Sequence, residues 1–227
     1  MTIEPLSPKR CVQATLHAER FEESLPDLAR LPARQVINFL ISSLCNPSEQ
    51  VKWRAVVAMG FVVARLADAD MESARVVMRR LMWNLNDESG GIGWGSPEAM
   101  GEIMALHDVA ASEYLHILLS YIQEDGNLLE NDLLERGALW GLARVAEVKA
   151  HLLWGAARDI ARYLDSGDAA SRALAARALE LIDAKSEAPR IEPLLNDPAE
   201  APLYLDGELA VHRISDIAAR ALQSLKD

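Results

Sequence analysis

Apolar residues recur along most of the chain with the spacing of amphipathic helices. Val, Ala, Met and Leu side chains follow one another at intervals of three and four positions between residues 51 and 66, and the same spacing returns in later segments up to residue 225. This spacing places the apolar side chains on one face of a helix. Because no segment shows a convincing alternation of apolar and polar residues, we expect almost no β-strand. The pattern predicts an all-α protein.

From Pro32 onward the helices come in pairs, and the second helices of the pairs resemble one another. The pentapeptide AARAL occurs twice, at a separation of 43 residues. The related segments are WRAVVAMG (53–60), ERGALWGLA (135–143), SRALAARAL (171–179) and RISDIAARAL (213–222).

Equivalent points in successive pairs lie about 40 residues apart. The spacings between them are 44, 38, 36 and 43 residues, and the points are Arg54, Glu98, Arg136, Arg172 and Ser215. Helical hairpins repeating at this period are the signature of an α-solenoid, in which stacked neighbours cover one another's apolar faces. We therefore predict a right-handed α-α superhelix of about five hairpins over residues 32–227, with residues 1–31 as an N-terminal cap.

The inter-helix turn, the Arg-Ala pair that opens the second helix and the AARAL ending resemble HEAT repeats. They are similar to the short type that also occurs in phycobilin lyase subunits and in prokaryotic HEAT-repeat proteins, and the match covers residues 32–225. The resemblance implies a HEAT/armadillo-like fold. It also implies an alternative function, that of a lyase-like or cofactor-handling protein acting on a bound tetrapyrrole, which rests on fold-level analogy alone.

Residues 83–102, WNLNDESGGIGWGSPEAMGE, depart from the helical pattern. Four of the chain's twelve glycines fall within six residues there, where a regular helical hairpin needs a short connection. We interpret the excess as an insertion that the scaffold presents on its concave side. The candidate partner-binding residues are Trp83, Asn86, Asp87, Glu88, Gly91, Gly93, Trp94, Glu98, Glu102, Trp53 and Trp140.

The carboxylates of this stretch favour a cation, such as an Arg or Lys side chain of a partner, and tryptophan adds cation–π contact. Trp53, Trp94 and Trp140 lie at or near second helices and predict an aromatic ridge, whereas Trp154 follows the apolar phase of its helix and is expected in the core. A structural alternative remains open. In it Asp87 and Glu98 cap helices and neutralise nearby arginines, and Trp94 fills a repeat junction.

The sequence contains few of the residue patterns that are typical of catalytic sites. The glycine stretch lacks the Lys-Ser/Thr of a phosphate-binding loop, the five histidines include no HExxH, and Ser96 is explained as a helix N-cap. We therefore expect no catalytic residue, metal or cofactor. The preferred function is a non-enzymatic scaffold or adaptor for another protein.

The net charge of −11 arises entirely after residue 90, where 12 basic residues face 23 acidic ones. An acidic protein is a poor ligand for nucleic acid or anionic membranes and suits a partner with a basic segment. The two cysteines form no CxxC pair, and no apolar run approaches the roughly 18–20 residues that span a bilayer. We expect a cytoplasmic protein.

Overall fold

The computed structural model describes residues 7–85 and 93–226, and the chain forms two compact units, Met1–Ser112 and Glu113–Asp227. Helices dominate both units, as the apolar spacing predicted. The helices that begin in the first unit are α1 (Pro8–His17), α2 (Phe21–Leu28), α3 (Ala33–Leu44), α4 (Glu49–Ala69), α5 (Met71–Leu85), α6 (Ser96–Leu106) and α7 (Asp108–Ser120), of which α7 ends in the second unit.

Helix α4 is the centre of the first unit. Helices α3, α5 and α6 all pack against it, and α1 and α2 contact it as well. It meets so many neighbours because small and medium apolar side chains cover most of its circumference. Ala55, Ala58, Met59 and Val63 are fully buried. A helix that is apolar on nearly every side is stable only inside a core.

The chain enters this unit through a helix that begins at a proline. Ser7 is the N-cap of α1, and its side chain accepts a hydrogen bond from the backbone N–H of Arg10. Pro8 occupies the first turn, where its missing N–H costs nothing. Since α1 contacts α3 and α4, residues 7–31 lie against the first predicted hairpin. Their role as an end cap stays a prediction.

The second unit is built around α10. Helices α8 and α12 both pack against α10, whose alanines at 173, 175, 176 and 178 are fully buried and allow close approach. Its α-helices are α8 (Asp132–Lys149), α9 (Ala157–Ala161), α10 (Ala169–Leu181), α11 (Ala188–Ile191) and α12 (Ile214–Lys226). Segments of 3-10 helix lie at Ala150–Ala156, Arg162–Asp165, Lys185–Glu187 and Glu192–Asn196.

A β-hairpin precedes α12, so the expectation of almost no strand was wrong here. Strands β1 (Glu200–Leu205) and β2 (Glu208–Arg213) pair antiparallel, with Leu205 opposite Glu208. The linking residues Asp206 and Gly207 have φ angles of 53° and 84°. Two left-handed residues form the tight turn whose twist matches a hairpin, and Asp-Gly is a preferred pair for it.

Charge-assisted contacts join successive hairpins of the second unit at the positions where the sequence repeats. Arg136 of α8 donates to Asp168 at 2.6 Å, and Arg172 of α10 approaches Asp197 at 2.7 Å. Asp168 is also the N-cap of α10, because its side chain accepts from the backbone N–H of Ser171 at 2.8 Å. Burial opposes ionisation of Asp168, but the hydrogen bonds from Arg136 and Ser171 outweigh it and lower its pKa.

We predict that Asp168→Ala lowers the free energy of unfolding by about 2 kcal/mol, because it removes an N-cap and a half-buried ion pair together. Chemical denaturation of wild type and variant measures the difference. The contribution of Asp168 should be complete above the ordinary aspartate pKa and should vanish as pH falls through the lower folded pKa. Asp165→Ala breaks only an exposed contact to Arg190 and should change stability by less than about 0.5 kcal/mol. Equal losses in the two variants would contradict this assignment.

Candidate functional site

The turn Gly93–Gly95 leads directly into α6 and carries the partly exposed Trp94. Gly95 is the N-cap, with a φ of 75°, and its carbonyl accepts from the backbone N–H of Ala99 at 3.0 Å. The prediction that Ser96 is the N-cap was therefore wrong, because the left-handed glycine already supplies the change of direction. Ser96 lies inside the helix, and its hydroxyl is buried without a hydrogen-bond partner.

This turn is packed tightly against the C-terminal end of α3. A Cβ at position 95 would lie 2.9 Å from the Cβ of Leu44 and 3.0 Å from its carbonyl oxygen. The Cys45 thiol approaches the carbonyl oxygen of Trp94 at 3.8 Å, and the backbone N–H of Ser96 donates to Gly93 at 3.0 Å. The backbone that presents Trp94 is therefore held by contacts on both sides.

The first turns of α6 bury the two carboxylates that were predicted to face a partner. All residues from Ser96 to Ala105 are buried, and Glu98 and Glu102 are only 3% and 4% exposed. Glu98 Oε1 lies 3.2 Å from the Nζ atom of Lys52 on α4, while Glu98 Oε2 is buried without a hydrogen-bond partner. In the structural alternative Glu98 neutralised nearby arginines, but its partner is Lys52.

Glu102 of α6 packs directly against Gly60 of α4. A Cβ on Gly60 of α4 would lie 2.4 Å from the Cγ of Glu102 and 3.2 Å from its carbonyl carbon. Position 60 therefore accommodates the glutamate only because it has no side chain. Sequence reasoning missed this role of Gly60, for which an isolated glycine inside a helix is the available signal.

The side chains around Glu98 make contacts that hold them in place. The ammonium of Lys52 also lies 5.1 Å from the ring centroid of Trp53. Burial raises the pKa of the Cys45 thiol, and the opposing effects of Lys52 and Glu98 leave it raised. Cys45 is therefore a neutral thiol at physiological pH, and a neutral thiol is a weak nucleophile. The unsatisfied Oε2 of Glu98 is buried and therefore does not face a ligand at the surface.

The other predicted binding residues have different surroundings. Trp83, near the end of α5, is 75% exposed, and Trp94 is 40% exposed, whereas Gly93 is buried. Trp53 and Trp140 are both buried, so neither contributes to an exposed aromatic ridge. Asn86, Asp87, Glu88 and Gly91 lie outside the described residues.

Two tryptophans of the second unit lie in surroundings opposite to those predicted. Trp140 was expected on an exposed aromatic ridge but is buried, and its indole N–H donates to the carbonyl of Tyr204 in β1 at 2.6 Å, a contact with the hairpin that sequence reasoning missed. Trp154 was expected in the core but is 67% exposed, because it lies in a 3-10 segment whose periodicity differs from that of an α-helix.

Over residues 7–85 and 93–226, no cluster of His, Cys, Asp and Glu side chains has the arrangement that would hold a metal ion. None of the helices in this part of the chain combines the length and the apolar composition that crossing a membrane requires.

Comparison with solved structures shows the class of fold. An engineered protein matches with a TM-score of 0.55 and 17% identity, covering 98% of this chain and 97% of its own. A designed armadillo repeat protein matches with a TM-score of 0.53 and 17% identity, covering 96% and 100% of the two chains. A designed armadillo repeat protein in complex with the peptide (KR)4 matches with a TM-score of 0.55 and 17% identity, covering 97% and 100%.

The chain has a HEAT/armadillo-type helical repeat fold. This confirms the all-α repeat architecture predicted from the spacing of the related helices. Identities of 17% show the fold and leave the ligand open. No protein-family model and no curated protein matches the chain.

We predict that Gly95→Ala lowers the free energy of unfolding by about 1–3 kcal/mol, because a Cβ there combines an unfavourable φ with contact against Leu44. Thermal or denaturant unfolding followed by circular dichroism measures the loss. Gly155→Ala is the matched control, since a Cβ at that position meets nothing within 4 Å. Gly155→Ala should change stability by less than about 0.5 kcal/mol, and an equally large loss there would refute the packing argument.

Glu98 and Lys52 should be energetically coupled across the α4–α6 interface. In a double-mutant cycle with Glu98→Gln and Lys52→Met, we expect a coupling of about 2 kcal/mol in unfolding free energy. Either single change leaves a mostly buried partner without its counter-charge, whereas the double variant removes both charges. Strict additivity of the two single changes would show that the pair does not stabilise the interface.

Proposed function

We propose that this protein is a repeat scaffold that binds a basic segment of another protein through the stretch 83–102. The observation that carries the proposal is the partly exposed Trp94 on the tightly held turn Gly93–Gly95. The protein-binding role in general is in keeping with the armadillo-type fold, whose designed representatives include a peptide complex.

Trp94 has the properties of an interface anchor. Tryptophan is enriched among the few residues that dominate binding energy at protein interfaces. An anchor is most effective when its backbone is ordered before binding, because less conformational entropy is then lost. Contacts to Leu44 and Cys45 order the backbone of Trp94 in this way. Trp83, the first residue of the stretch, adds a second exposed indole.

Charge favours a basic partner. The region after residue 90 has 11 more acidic than basic residues, which produces an attractive field for Lys and Arg and repels nucleic-acid phosphates. The designed armadillo repeat protein with a similar fold is bound to (KR)4, a peptide of alternating Lys and Arg. A basic peptide is therefore the ligand class that we assign to this stretch.

We expect Trp94→Ala to weaken the binding of a fluorescein-labelled (KR)4 peptide by about thirtyfold, because truncation of an anchoring tryptophan typically costs about 2 kcal/mol or more. Fluorescence anisotropy at fixed ionic strength measures the dissociation constant. Trp94→Ala should leave the affinity for an acidic peptide of the same length, (DE)4, unchanged.

Trp154→Ala is the matched control, because Trp154 is an exposed tryptophan of the second unit. It should leave (KR)4 affinity unchanged. The proposal is wrong if Trp94→Ala binds (KR)4 as tightly as wild type does, or if both variants lose affinity equally. Unchanged circular dichroism spectra would show that the loss does not come from unfolding.

A further inference from the structure

A second surface of the first unit has the opposite charge preference. Helices α3 and α5 enclose an open groove of about 430 Å³, here called the α3–α5 groove, with Leu66 of α4 at its base. This volume lies in the range of ligand-binding clefts. The side chains that line it from the two helices include Arg34, Ile37, Asn38, Val76, Val77 and Arg80.

Spacing along both helices explains why these side chains meet. Arg34, Ile37 and Asn38 are three and four positions apart on α3, and Ser73, Val77 and Arg80 have the same spacing on α5. Residues at these intervals share one helix face. Ile37, Val76 and Val77 form an apolar floor, and Val76 is largely exposed within it.

An arginine stands at each end of this floor. Arg34 donates to the hydroxyl of Ser73 at 3.4 Å, and Arg80 donates to the side-chain oxygen of Asn38. These two contacts are four residues apart on α3 and seven apart on α5. At about 1.5 Å per residue, the guanidinium groups are separated by about 6–10 Å.

Both guanidinium groups retain binding capacity. Each has five N–H donors, and its hydrogen bonds within residues 7–85 and 93–226 go to neutral side chains, not to carboxylates. Most arginines in this part of the chain form ion pairs, such as Arg79 with Glu72. Arg80 is therefore oriented but not neutralised, whereas Arg34 also lies within the electrostatic range of Asp70.

The lining of the groove is positive although the protein is acidic. Its described residues include two arginines and no carboxylate. Asp70, just before α5, is the nearby acid at the Arg34 end, where the hydroxyl and backbone N–H of Ser73 occupy its carboxylate. The Arg80 end has no such acid among its described lining residues, so it should bind an anion more strongly.

We propose that the α3–α5 groove binds an acidic peptide segment in which two carboxylates flank aliphatic side chains. Carboxylates three positions apart in a polyproline II segment point to the same side and are separated by about 9 Å, which lies within the guanidinium separation. Arginine binds carboxylates in a bidentate manner, and the aliphatic residues between them cover the apolar floor. The open form of the groove admits a chain that continues beyond both ends.

The test uses the full-length protein and a labelled, C-terminally amidated peptide Glu-Leu-Leu-Glu in anisotropy titrations. Wild type should bind it more tightly than the peptides Gln-Leu-Leu-Gln and Glu-Ser-Ser-Glu, because these lack the charges or the aliphatic groups. Arg80→Gln should weaken binding about tenfold, as expected for a charged hydrogen bond, and Arg34→Gln should weaken it less. Arg158→Gln, at an exposed arginine of the second unit, should have no effect.

Three results would overturn the proposal. The first is that wild type does not distinguish Glu-Leu-Leu-Glu from Gln-Leu-Leu-Gln. The second is that Arg80→Gln has wild-type affinity or that Arg158→Gln loses as much. The third is that suberate, a small eight-carbon dicarboxylate, competes as well as the unlabelled peptide, which would assign the groove to a small molecule. Trp94→Ala should bind the acidic peptide normally, so this site and the basic-peptide site fail independently.

Discussion

The ion pair between Glu98 and Lys52 is the contact on which the geometry around Trp94 depends. It joins the first turn of α6 to the first turn of α4 across 3.2 Å. Because Gly60 has no side chain, α4 and α6 can approach closely, and Glu102 occupies the space next to it. The start of α6 is thereby fixed, and so is the turn Gly93–Gly95 that precedes it. The buried ion pair between Glu98 and Lys52 therefore helps to fix the position of the exposed Trp94 indole.

The charge of the first unit is unevenly distributed. Residues 1–90 contain equal numbers of acidic and basic side chains, and their sum is uninformative about binding. In the structure, Arg34 and Arg80 line the α3–α5 groove, while Glu98 is buried at the start of α6 and paired with Lys52. Because screening limits the range of a local field to about 10 Å at physiological salt, a neutral sum does not prevent a positive groove.

Sequence reasoning succeeded where structure is determined by near neighbours along the chain. Apolar spacing identified the main helices, and the Arg136 and Arg172 repeat positions proved to be equivalent contacts to aspartates. It failed where contacts between residues far apart in the sequence determine the structure. Acidic side chains are usually exposed, so Glu98 was predicted at the surface, whereas its burial depends on Lys52, some 46 positions earlier. The hairpin was missed because its Asp-Gly turn was not weighed against the helical periodicity around it.

Burying the carboxylates of α6 costs free energy in a helix that is otherwise apolar. Taking a charge out of water costs several kcal/mol, and replacing a buried ion pair by apolar side chains is often neutral or stabilising. Stability alone therefore does not explain why Glu98 is present, with one buried oxygen left unsatisfied. A directional, charged contact can specify a single register between α4 and α6. The proposed binding surface around Trp94 depends on that register, because the register fixes the start of α6.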